Sequence, residues 1–203
     1  MKKISILVLS LLLACNSTPK PPTIVEKNGL HYEENSTTPY TGTVEYFHPD
    51  EGHKSAEHTY KEGKYHGTWK IWDGKDTLFI ENNFQKGTLQ GEQKVYLKSG
   101  AVSHKSVFKD GVLIEQKSWN ENGSLNHETV VKDGVVQKYI NWSHVGSKDE
   151  KQRVISEYIH EGEKLKVIEF KSDGSKTETW YSGGQKENIL ANYKPLIIPD
   201  LGK

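Results

Sequence analysis

Cysteine occurs once in the 203 residues, as Cys15, and arginine once, as Arg153. A single thiol excludes any internal disulfide, so packing and backbone pairing must hold the folded part together. Lys+Arg and Asp+Glu each total 27 and are interspersed, giving a formal charge of zero. That excludes the coherent basic face on which nucleic-acid binding depends. Long hydrophobic runs are absent too. The apolar stretch from Ile4 to Leu13 is ten residues long, about half of the ~20 that a membrane-spanning helix needs. Mean hydropathy is −0.74, so any core is thin. Five Trp, ten Tyr and five Phe nevertheless argue against disorder, which tends to lack aromatics.

The first residues, "MKKISILVLSLLLAC", combine a basic start at Lys2 and Lys3, a short apolar core and a terminal Leu-Leu-Ala-Cys. Residues 1–14 read as an export signal. Leu12-Leu13-Ala14-Cys15 resembles the bacterial lipoprotein lipobox, which implies cleavage before Cys15 and a diacylglycerol on its sulfur. Losing Lys2 and Lys3 leaves 25 basic against 27 acidic groups, a charge of −2, so the lipid alone would hold the protein to the membrane. Two or more acyl chains suffice for that, where one is marginal. Residues 15–24, with "NSTPKPPT", read as the lipidated cysteine and an extended, solvated tether. Asn16, rather than Asp, resembles the pattern that sends lipoproteins to the outer membrane where a cell has two.

Glycine is where the chain becomes regular. Gly63, Gly87, Gly111, Gly134 and Gly162 follow one another at 24, 24, 23 and 28 residues, and Gly52, Gly74, Gly100, Gly123 and Gly174 interleave with them. Such a period marks a repeat architecture built from one supersecondary unit. Asp110-Gly111, Asp133-Gly134, Asn122-Gly123, Asp73-Gly74 and Asp173-Gly174 are dipeptides of tight hairpins, where both residues tolerate positive φ. The segments between are rich in Val, Ile, Thr, Tyr, Trp and Phe. Glycines recur too often for helices, and no 3.6-residue apolar stripe crosses them. The expectation is an all-β chain of antiparallel β-hairpin repeats over residues 25–182. Residues 183–203 are expected to form a C-terminal tail or an edge strand.

Counting back three residues from each turn glycine gives Tyr60, Phe84, Phe108, Val131 and Ile159, and six further back come Leu78, Val102 and Leu125. Equal parity places them on one sheet face. His104, Ser106, His127 and Thr129 lie between, so the apolar surface is expected as two stripes near the strand ends. Trp69, Trp72, Tyr96 and Trp119 are the aromatics of the following strands. They are candidates for a binding face, against the plainer reading of cross-strand packing.

"YKEGKYHGTWKIW" and "FQKGTLQGEQKVYLKSGAV" are similar to the bacterial variant of the MORN repeat, aromatic-x-x-Gly-x-x-x-Gly-x-x-x-x-aromatic. Gly63 with Gly67 and Gly87 with Gly91 match both glycines. Gly111 and Gly134 match the first, with Glu115 and Lys138 where the second belongs. "PYTGTVEYF", with Gly42, looks like a leading half-unit. Many such chains carry the label of the YwqK-type antitoxin-repeat family, which implies a toxin partner but supplies no catalytic residues.

No phosphate loop, Gly-x-Ser-x-Gly or His-Glu-x-x-His is present. His48, His53 and His58 recur every five residues, a spacing that alternates faces of a strand and does not converge on a metal. They read as solvated groups at hairpin ends. The sequence thus points to a non-catalytic, lipid-anchored envelope protein without cofactor or metal, a binding scaffold or adaptor for an envelope protein or surface partner. The alternative is an inhibitor or immunity factor against an exported toxin.

Overall fold

The computed structural model describes residues 21–74, 77–143 and 152–191. The export signal, Cys15 and most of the tether therefore lie outside the described residues. β1 (Ile24–Lys27) and β2 (Leu30–Glu33) form a separate hairpin. There follow β3 (Gly42–Phe47), β4 (Lys54–Lys61), β5 (Lys64–Tyr65), β6 (Gly67–Trp72), β7 (Leu78–Gln85), β8 (Thr88–Leu89), β9 (Gly91–Tyr96) and β10 (Val102–Lys109). The chain continues through β11 (Val112–Trp119), β12 (Leu125–Lys132), β13 (Val135–Trp142), β14 (Val154–Glu161), β15 (Lys164–Phe170), β16 (Lys176–Tyr181) and a short helix, α1 (Gly184–Ala191). From β3 onward the strands make one 14-stranded antiparallel meander, open at β3 and β16. Residues 183–203, expected as a tail or edge strand, thus begin with a helix. Residues 192–203 lie outside the described residues.

The two glycine series do different work at the two long edges. Along one edge, Glu62-Gly63, Lys86-Gly87, Asp110-Gly111 and Asp133-Gly134 all have positive φ at both positions, the two-residue turn whose twist suits a hairpin. Along the other edge the connections are longer. Gly123 N–H donates to Asn120 O (2.9 Å) and Asn120 N–H to Ser124 O (2.9 Å), and Leu97–Ala101 and Lys171–Ser175 repeat the pattern. Only the glycine is left-handed there. Asn122 and Asp173 instead accept from the backbone N–H two residues on, Ser124 at 3.0 Å and Ser175 at 2.8 Å. They cap the turn rather than supplying positive φ.

Gly162 departs from its series. The turn is Gly162-Glu163, with Glu161 opposite Lys164, and glycine takes the first position at φ 60°. Counting from glycine therefore slips by one residue, and a one-residue slip reverses the faces. Ile159, expected beside Tyr60 and Phe84, lies on the opposite face, across from Lys138 and Lys166.

The second glycine of a unit has a visible consequence. Gly67 (φ 75°) and Gly91 (φ 83°) break the returning strand into β5/β6 and β8/β9. Where Glu115 and Lys138 replace it, β11 and β13 run unbroken and absorb the mismatch as register shifts at Phe108 and Val131. The units also dock edge to edge. Gly63 N–H donates to Tyr40 O, Gly87 N–H to Tyr65 O and Gly111 N–H to Leu89 O, at 2.8–2.9 Å.

Burial is mostly one-sided, with Ile168 in β15 buried on the other face. Val44, Trp69, Ile80, Phe84, Val95, Phe108, Leu113 and Val131 are buried on what we call the inner face, and Asn82, Gln93, Ser106, Gln116 and Thr129 are buried among them. The middle of the sheet is thus better covered than two terminal stripes would leave it. One row of partners crosses the strands as Trp69–Asn82, Gln93–Ser106–Gln116–Thr129 and Tyr139–Tyr158–Val167. Gln93 Nε2 donates to Asn82 Oδ1 (2.6 Å) and Gln116 Nε2 to Ser106 Oγ (2.9 Å). Polar groups can be buried when they satisfy one another in this way.

Candidate functional site

The inner face begins with an aromatic cluster. Tyr65 stacks on Trp69 (centroids 5.5 Å, planes 4° apart), Trp69 meets Phe84 at 5.5 Å, and His58 stands edge-on to Trp69 at 4.4 Å. His31, carried by β2, donates its backbone N–H to Gly63 O (2.8 Å) and accepts Tyr40 N–H at its carbonyl (2.9 Å), and its ring closes the cluster over Tyr60 and Tyr65 at 4.9 and 4.8 Å. Burial holds the His58 imidazole neutral, its pKa lowered to about 4, with His31 adding to the effect. Burial also raises the Tyr60 hydroxyl well above the phenol range. His58 is therefore a core group, not the solvated hairpin-end residue expected from spacing. Trp69 is 2 % exposed. It belongs to this core and not to a binding face, a correction that follows from its parity with Ile71 and Gly67 rather than with Trp72.

Ser118 Oγ lies 2.9 Å from His127 Nδ1, within reach for a nucleophile and its base. Ser118 is only 2 % exposed, however, so no substrate can meet it. A cleft of about 340 Å³ at the two-residue-turn edge is lined by Lys61, Glu62, Lys64, His66 and Lys86. It gathers cationic groups without a nucleophile–base pair. Among the described residues no three His, Cys, Asp or Glu side chains gather to hold a metal.

The outer face is organised differently. Across eight strands its midline reads Glu45–Glu57–Lys70–Glu81–Lys94–Lys105–Lys117–Glu128, each residue opposite the next. Ion pairs neutralise Lys94, Lys105 and Lys117 of the row, partly through Glu92 beside it. Lys94 reaches Glu92 (3.3 Å), Lys105 also pairs with Glu92, and Lys117 bonds Glu128 (2.9 Å). Lys105, then Lys94, hold the Glu92 carboxyl below its usual range.

Beside this row runs a second. Phe47, Trp72, Tyr96, Trp119, Trp142 and Phe170 are the last residues of β3, β6, β9, β11, β13 and β15. Trp72, Tyr96 and Trp119 were expected as surface candidates. Phe47, Trp142 and Phe170 complete the series. Five of the six oppose a bulge, the extra residues being Ser55, Phe79, Ser103, Asn126 and Ile155. Bulges re-aim side chains and sharpen local twist. Phe47 is 47 % exposed and the other five are half-buried. Lys54 Nζ sits 5.1 Å from the Trp72 ring centroid. A signal for the additional members existed, since Trp142 and Phe170, like Tyr96 and Trp119, stand four residues before a glycine.

The turn glycines Gly63, Gly87, Gly111, Gly134, Gly100, Gly123 and Gly162 all adopt positive φ at strand connections, and so position both rows without contributing chemistry. No family model matches the chain, and no curated protein matches it. Among solved structures it is similar to a chain of a GtfA/B complex bound to UDP and GlcNAc, at 16% identity and a TM-score of 0.20. That match covers 68% of this chain and 25% of the other. Likeness at that level carries no argument.

Proposed function

We propose that this is a non-catalytic binding protein of the bacterial cell envelope, lipid-anchored through Cys15, whose open sheet serves as a scaffold. One observation supports the reading above others: a row of aromatic rings repeats along one face, next to a charge-neutralised midline. That face has no second layer of strands packed upon it among the described residues. A long, regular, one-sided surface suits an extended partner. The lipobox-like N-terminus and the MORN-like repeat pattern favour an exported repeat protein of this kind.

The test is affinity capture of the membrane-extracted protein, compared with a Cys15→Ala form. Enrichment of one envelope component by the wild type, lost with Trp119→Leu, supports the scaffold reading. Capture of a single toxin whose activity the protein suppresses would replace it with the inhibitor reading. Absence of any fatty acyl group on the mature chain by mass spectrometry would remove the anchor.

A further inference from the structure

We propose that the aromatic row is a subsite array for an extended β-1,4-linked glycan; this rests on the binding-scaffold reading and names its ligand class. The argument is one of period. From Trp72 to Phe170 the rings sit on β6, β9, β11, β13 and β15, with one full strand between each pair of neighbours. Strands lie ~4.8 Å apart, so successive rings recur about every 10 Å along a line crossing the sheet.

Three linear ligands can be weighed against that period. An extended peptide advances ~3.3 Å per residue and alternates its faces. Rings about 10 Å apart would fall three residues apart, and so would meet opposite faces of the peptide in turn. A lipid surface has no period to match. In an extended β-1,4-linked chain each sugar is turned over relative to the last, so one face returns at every second sugar, over a comparable distance. The axial C–H groups of a pyranose form a flat apolar patch suited to an aromatic ring. The hydroxyls around it fit the polar neighbours in the charged midline. Because Lys94 and Lys105 already pair with Glu92, and Lys117 with Glu128, no strong field of either sign selects a polyanion or polycation.

Phe47 extends the row to the β3 edge and is its most exposed member. Bulges opposite Trp72, Tyr96, Trp119 and Trp142 recur at the same place in each unit. This is the regularity expected if the rings are presented at a constant angle.

The experiment titrates the full-length mature protein with N-acetylglucosamine oligomers of two to eight sugars, with α-1,4-linked maltohexaose as the control. Affinity is expected to rise with each added pair of sugars, and the α-linked chain to be ignored. Trp119→Leu keeps an apolar side chain but not the stacking plane, and is expected to weaken binding roughly tenfold, the worth of one stacked ring. Trp180→Ala, exposed on β16 away from the row, is expected to leave affinity unchanged. Trp119→Leu binding as tightly as wild type overturns the assignment, as does an affinity independent of glycan length. Failure to bind any oligomer, while affinity capture still depends on Trp119, overturns the glycan and leaves the scaffold. Failure of both overturns both. Co-sedimentation with phosphatidylglycerol vesicles, dependent on Trp119 and without glycan binding, assigns the row to a lipid surface instead.

Discussion

The units from β3 to β9 and those from β10 to β15 pair their strands in the same way but fill the inner face differently. In the first region the second glycines, Gly67 and Gly91, break each returning strand. His58, Tyr60, Tyr65, Trp69 and Phe84 pack there ring against ring. In the second region the strands are continuous, and the same row holds Ser106, Gln116 and Thr129 before rings return at Tyr139 and Tyr158. Gln116 donates to Ser106 there, while the Thr129 hydroxyl is buried without a hydrogen-bond partner among the described residues. One backbone plan thus tolerates either large rings or small polar groups, provided that neighbouring strands agree.

The largest expected contrast is at Trp69. Trp69→Ala should remove about 3–5 kcal/mol, read as a fall in the urea midpoint, because the ring touches His58, Tyr65 and Phe84. Trp119→Ala, half-buried on the outer face, should cost less than half as much. Equal losses would mean that the aromatic cluster is no more a core than the outer row.

Next come the turns. At Gly63 (φ 76°) an added Cβ would lie 3.0 Å from Pro39 Cβ and 3.1 Å from His31 O. Gly63→Ala therefore combines backbone strain with displacement of the β1–β2 hairpin, whose His31 N–H donates to Gly63 O. Gly134 (φ 74°) has nothing within 4 Å. Gly134→Ala should cost only the left-handed penalty, about 1–2 kcal/mol, and Gly63→Ala clearly more in the same denaturation assay. A reversed order would show that the hairpin yields freely.

The smallest effect separates the regions by pH. Folding lowers the His58 pKa from an ordinary 6.5 to about 4, so between those values the unfolded chain binds the extra proton. This contribution is complete above pH 6.5 and declines as pH falls toward 4. His58→Phe should flatten the melting temperature between pH 4.5 and 7 by an amount equivalent to about 1 kcal/mol, allowing for partial solvent screening. An unchanged slope would place the sensitivity at His104 or His127, whose pKa values burial also lowers.

The hairpin repeat was legible because turn chemistry is local. Asp110-Gly111 and Asp133-Gly134 state their turn in two letters, and the observed φ values agree. Faces were legible close to such a turn, as for Tyr60, Phe84, Phe108 and Val131. Six residues further back, the bulges at Phe79, Ser103 and Asn126 put Leu78, Val102 and Leu125 on the outer face, opposite Trp72, Tyr96 and Trp119. Reading failed at Ile159, because glycine leads its turn there, and at Trp69, because aromatic type says nothing of parity. The outer row was half legible. Tyr96 and Trp119 were found as equivalents, and the same four-residue offset reaches Trp142 and Phe170.

By itself, the order of amino acids determined where the chain reverses and that the segments between are extended, since both depend on φ preferences and side-chain branching within a few residues. Only the tertiary structure decided which face is covered, that Ser106, Gln116 and Thr129 are buried, and that six aromatic rings share one row. Those facts depend on cross-strand register, and each bulge that resets it is a joint property of two strands, written in neither alone.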